Sequence, residues 1–149
     1  MITIELKQEF SDTSLLERAA RLTLDASAAP ADVDLTIVLT DDAQLHELNR
    51  DYLGLDAPTD VLSFPASEPD PETGATYLGD ILISIQRAKI QAQAAGHRLE
   101  DEVQLLVVHG VLHLLGHDHA EVGDKARMWA AQAGVLARLG LSDIKVQET

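Results

Sequence analysis

The chain contains no cysteine, so disulfides and every thiolate metal site are excluded, and any ion it binds is held by histidine, aspartate or glutamate. Cations are scarce. Eleven lysines and arginines stand against 25 aspartates and glutamates, a formal net charge of −14 at pH 7. A broad electrostatic grip on nucleic acid needs Lys and Arg to neutralise phosphates, so this composition argues against one. Long apolar runs are also missing. The most apolar segment, "LLVVHGVLHLLG" at residues 105–116, is too short and too rich in histidine to cross a bilayer, and no membrane association is expected. The opening "MITIELKQEF" alternates apolar and polar residues and includes Glu5 and Lys7. It suits a strand and lacks the apolar stretch of a signal peptide, so a cytoplasmic location is expected.

What is present fits an ordinary globular protein. A length of 149 residues with 46% apolar content suits one domain, taken as residues 1–149. Met1 to Lys7 reads as a strand. Asp12 to about Ala26 follows, with Leu15, Leu16, Ala19, Ala20, Leu22 and Leu24 near helical spacing, and Pro30 closes the unit. "VDLTIVLT" at 33–40 is an internal strand, and "DDAQLHELNRDY" starts with aspartates that suit a helix N-terminus. The segment 54–77 is crowded with Pro, Gly and Asp around the kernel "DVLSF", which predicts a short strand flanked by exposed loops. Residues 77–85 form another strand, two helices separated near Gly96 follow, and a last helix runs from about Glu121 to Leu139. This order predicts an α+β fold, a small mixed sheet covered by helices.

The stretch "HGVLHLLGHDH" at 109–119 places four histidines in eleven residues at the end of that apolar segment. The helix ending near Leu115 is apolar all round and should be central. His109 and His113 stack on one face with Cβ atoms roughly 5–6 Å apart, near enough to share an ion. On an unbroken helix His117 would lie about 12 Å along the axis from His109, beyond what metal–nitrogen bonds of about 2 Å can close. The helix must therefore stop, and Gly116 is the residue that most readily allows it. The chain then turns back, which makes His119 the third ligand and His117 a rim or supporting group. The spacing HxxxHxxGxxH is that of metzincin-type sites, with Gly110 in place of their catalytic Glu. A histidine on an apolar face is commonly a hydrogen-bonded core residue, but three with a glycine at the turn point to a zinc-like ion with a position left open for water.

Together with "PTDVLSFP" (58–65) and "LGDILIS" (78–84), the histidine stretch resembles the YbeY family of bacterial metal-dependent endoribonucleases. The resemblance implies a single-strand-specific RNA endonuclease acting in small-subunit (16S) ribosomal RNA maturation and ribosome quality control. It further implies one Zn2+ on His109, His113 and His119. A small-subunit ribosomal protein is a candidate partner, which would recruit so acidic a chain to its RNA. DNA is not an expected substrate. One departure stands out: the arginine that commonly follows the tyrosine before "PTDVLSFP" is Leu53 here, after Tyr52, and Arg50 is the nearest replacement cation.

No general base is obvious. Asp80 and Asp118 are the candidates, each better suited to orienting a ligand histidine through its second ring nitrogen than to abstracting a proton. Asp60 should order its own loop. Ser63 and Phe64 could line a groove, with Phe64 available for base stacking or else packed in the core. His46 and His97 are expected at the surface. A local basic strip of Arg50, Arg87, Lys89 and Arg98 would reconcile RNA binding with the net charge. Two other classes remain: a metal-dependent peptidase, which the missing Glu disfavours, and a non-catalytic ribosome-assembly factor with a structural zinc.

Overall fold

A computed structural model describes residues 1–29, 32–69, 72, 74, 76–117 and 121–144. Nine elements follow in order: β1 (Ile2–Leu6), α1 (Ser14–Ala26), β2 (Val33–Thr40), α2 (Asp42–Leu53), β3 (Val61–Pro69), β4 (Thr76–Ser84), α3 (Ile85–Ala95), α4 (Leu99–Leu114) and α5 (Val122–Arg138). The strands form one mixed sheet in the order β1-β2-β4-β3, with β1, β2 and β4 parallel and β3 antiparallel to β4. The α+β expectation is thus met. No helix among the described residues is long and apolar enough to cross a membrane.

β2 and β4 are central, and their C-terminal halves are buried on both faces, which is why those halves read as hydrophobic runs. On one face Leu35, Ile37, Leu39, Ile81 and Ile83 pack against α1 and α4 through residues such as Leu16, Ala20, Val107 and Val111. On the other face Val38, Leu62 and Leu82 meet Leu45 of α2 in a smaller cluster. Helix α4 also touches α1, α3 and α5, so an all-round apolar sequence has a partner on every side. Its first turn carries Glu100, Asp101 and Glu102, which complement the positive end of the helix dipole.

The strand at "DVLSF" is longer than expected. β3 continues through Pro69, re-pairing with β4 after a register shift between Pro65 and Glu68. The prolines that suggested a loop are tolerated because β3 lies at the sheet edge, where a missing N–H need not break a ladder. Pro30 lies outside the described residues.

Candidate metal centre and cleft

His109 and His113 occupy the last two turns of α4, four residues apart. Their Nε2 atoms are 3.2 Å apart and the rings meet edge to face, with centroids at 4.7 Å and planes at 68°. A tetrahedral ion with bonds of about 2.0–2.1 Å to imidazole nitrogen requires donor atoms about 3.3 Å apart. The pair fits that requirement. Helix α4 then ends as its sequence predicts: Gly116 takes φ 98°, its N–H donates to the His113 carbonyl at 3.0 Å, and the His117 N–H donates to the Leu112 carbonyl at 3.0 Å. This pair of bonds is the Schellman arrangement, which turns the chain sharply off the helix axis. Asp118 and His119, the residues delivered by that turn, lie outside the described residues. Among the described residues no group of three or more His, Cys, Asp or Glu is gathered as an ion site.

The position where zincins carry their glutamate faces the sheet. A Cβ on Gly110 would fall 2.7 Å from Ile81 Cγ2, so no side chain fits there and the backbone of α4 lies close against β4. Ser63 Oγ donates to the Gly110 carbonyl at 3.2 Å, tying β3 to the same turn. The missing glutamate is therefore a consequence of packing, and the zincin likeness ends at the ligand spacing.

Beside the histidines opens a cleft of about 620 Å³, walled by the end of α2, the segment 55–60 and the start of β3. Leu53, Leu55 and Pro58 supply apolar surface, and Asp60 and Ser63 supply polar groups. Asn49, 5% exposed, donates through Nδ2 to the Ala57 carbonyl at 2.9 Å and holds the connecting segment in place. Asp60 Oδ1 accepts from the Val61 N–H at 2.8 Å and from Thr59 Oγ1 at 3.5 Å, the loop-ordering role expected of it. Among the described lining residues Asp60 is the one carboxylate, and none is Lys or Arg.

Several expected site residues are placed elsewhere. Asp80 pairs in register with Thr36 and Phe64, and Phe64 packs into the α2-side cluster. Its side chain is thus on the sheet face away from α4 and cannot orient His109 or His113. There it accepts from the Tyr77 hydroxyl, whose oxygen in turn accepts from Thr36 Oγ1 at 2.8 Å. Burial, then the Asp80 carboxylate, pushes the Tyr77 hydroxyl up to about 12. Phe64 meets Tyr52 edge to face at 5.8 Å and does not line the cleft, whereas Ser63 does. His117 lines a separate depression with Asp124 and Arg127.

Of the four cations of the expected basic strip, Arg50 is not among the cleft-lining residues and pairs with Asp51 at 3.0 Å, Arg87 pairs with Asp42 at 2.9 Å and Arg98 with Asp101 at 3.1 Å, so three of the four already face carboxylates. His46 is at the surface as expected, 2.7 Å from Asp56. His97 is not: its Nε2 lies 2.6 Å from Glu102 Oε1, with the side chains only 11% and 6% exposed. The turn after α3 folds the imidazole onto the start of α4. Burial raises the Glu102 carboxyl above its ordinary range, His97 pulls it the other way, and Asp60 adds to the rise.

One residue near the histidines escaped the sequence reading. Gln132 of α5, 1% exposed, has Oε1 3.0 Å from His109 Nδ1. Its signal was a lone amide in the stripe Met128, Gln132, Val135, Leu136, the buried face of α5.

The chain is similar to known proteins in sequence and fold. The profile of the family described as "Endoribonuclease YbeY" matches residues 2–140. Proteins named Endoribonuclease YbeY are 45% identical over 135 residues in Desulfitobacterium hafniense (87% of this chain, 86% of that protein) and 48% over 137 residues in Roseiflexus castenholzii (88% and 86%). Another from Halalkalibacterium halodurans is 40% identical over 148 residues, 94% of this chain and 91% of that protein. The solution structure of TM1509 from Thermotoga maritima superposes with a TM-score of 0.59 at 27% identity, covering 100% of this chain and 99% of that one.

Proposed function

The chain belongs to the YbeY family of endoribonucleases, and on that premise we propose that it is a single-strand-specific, metal-dependent endoribonuclease of the cytoplasm, acting on small-subunit ribosomal RNA during maturation and quality control. The observation that carries the reading is the His109–His113 pair, two imidazole nitrogens set at the edge length of a tetrahedral ion beside an open cleft.

His109 and His113, joined by His119 from beyond the Gly116 turn, would hold the ion, and an all-imidazole donor set in a cysteine-free chain favours zinc. Bound there, it would lower the pKa of a water and stabilise charge growing on the phosphate oxygens. The neutral imidazoles leave its positive charge uncancelled, which matters in a cleft lined by no Lys or Arg among its described residues. Leu53 and Leu55 offer apolar surface at the rim, 56% and 58% exposed, against which unpaired bases can lie. A duplex hides those base faces, which gives the single-strand preference a physical basis. Asp118 is the carboxylate we assign to orienting a ligand or accepting a proton. Arg50, held by Asp51, and Asp80, on the far face of the sheet, are assigned no contact with substrate. A small-subunit ribosomal protein, as the partner, would supply the cations that this acidic surface lacks. The peptidase alternative fails at Gly110, where the required glutamate has no room.

The test is cleavage of single-stranded and duplex RNA by wild type and His113→Ala, with metal content measured on the same preparations. Wild type is expected to cut the single strand, spare the duplex and carry one ion per chain. His113→Ala should lose the ion and roughly a hundredfold or more of the rate while its circular dichroism is unchanged. Stoichiometric metal without cleavage of any RNA would overturn the nuclease reading.

A further inference from the structure

Helix α5 buries Met128, Gln132, Val135 and Leu136 against the rest of the fold, and Gln132 is the one polar member of that stripe. A primary amide in such a place is costly to desolvate unless its groups are matched. The match here is His109: the Gln132 Oε1 to His109 Nδ1 distance is 3.0 Å, and a carboxamide oxygen can only accept. The proton of a neutral His109 imidazole must then sit on Nδ1. Its Nε2 is then unprotonated and able to accept or to ligate, and this is the nitrogen 3.2 Å from His113 Nε2.

We infer that Gln132 is a positioning residue for His109: from α5 it fixes the tautomer and ring orientation that present Nε2 toward His113, the side on which an ion would be held. In its role toward the ion the inference rests on the metal reading above; in its role toward the tautomer it does not. Second ring nitrogens of metal-binding histidines are commonly held by carboxylates or backbone carbonyls. An amide does the same work without adding negative charge. In a chain of net charge −14, whose cleft already includes Asp60, a neutral acceptor keeps the site's positive charge available to phosphate.

The experiment has two readouts on wild type, Gln132→Met and Gln132→Glu, with thermal melts to confirm folding. The first is the His109 tautomer in ion-free protein at alkaline pH, by long-range 1H–15N correlation. Wild type and Gln132→Glu should show the proton on Nδ1, and Gln132→Met should shift toward the Nε2–H form that free imidazole side chains favour. The second is zinc affinity by chelator competition, with the cobalt absorption band as a check on ligand geometry. Gln132→Met should bind about 10–100-fold more weakly, and Gln132→Glu, which restores an acceptor, should remain within about threefold of wild type. A wild-type His109 protonated on Nε2 overturns the inference without any substitution. Equal zinc affinity in wild type and Gln132→Met overturns the role toward the ion. A wild-type protein that binds no zinc brings down the metal reading itself, and the role toward the ion with it, even where the tautomer holds.

Discussion

Gly110 and Ile81 are in contact so close that a single added carbon would not fit: a Cβ on the glycine would lie 2.7 Å from Ile81 Cγ2 and 3.2 Å from its Cγ1 and Cδ1. Ile81 is fully buried in the middle of β4 and branched at Cβ, so it has little freedom to retreat. Gly110→Ala should therefore destabilise the protein by about 1–3 kcal/mol, the usual cost of overpacking a core. The same substitution in an Ile81→Ala background should cost less, because the obstructing methyl is gone. Melting temperatures of the four proteins measure the coupling, and additive costs would show that the close approach carries no strain.

Leu53 stands in the cleft wall, where an arginine would place its charge beside the substrate rather than on Asp51, as Arg50 does. Leu53→Arg is expected to tighten binding of single-stranded RNA and to steepen the slope of log K against log salt by about 0.7–1, the signature of one added phosphate contact. Stability should change little, since Leu53 is 56% exposed. An unchanged salt slope would mean that the phosphates run elsewhere.

Asp42, at the start of α2, receives Arg87 Nη2 at 2.9 Å and Arg87 Nε at 3.3 Å, with Ser84 Oγ at 3.3 Å. The Arg87 hydrogen bond holds its carboxyl below the ordinary value of 3.8 against the opposing effect of burial. A carboxyl depressed in the folded state contributes stability above its unfolded value and loses that contribution as pH falls through the folded one. Asp42→Asn should thus cost about 1 kcal/mol at neutral pH, a modest figure because both partners are nearly a third exposed. The difference from wild type should shrink at a pH well below the ordinary carboxyl value of 3.8. Denaturant titrations at both pH values decide it: an equal cost at each would assign the effect to something other than charge.

The elements that were legible in the sequence are those whose signal is local. Gly116 follows an apolar helical run directly, and the helix ends there with both bonds of the Schellman turn. The His109–His113 pairing follows from helical geometry alone. Properties set by distant neighbours were not legible. β3 continues across Pro65 as far as Pro69 because β4 is there to pair with it and its other side is an edge. Asp80 faces away from the histidines because strand register assigns its side, and a register shift between Asp34 and Leu35 resets the alternation with β2. His97 is drawn partly under the surface by its pairing with buried Glu102. Gln132 becomes meaningful only once α5 is docked beside α4, 23 residues after the histidine it meets.

That last separation has a consequence for the life of the chain. α5 packs on α4 and also on α1, so the support for His109 arrives only when the last helix of the described fold has closed against one of the first. A polypeptide halted before residue 132 would carry the HxxxH turn without the group that aims it. Such a fragment would hold an ion at least about 10–100-fold more weakly than the full chain, so ion binding at the first two histidines is completed by the last helix to be made.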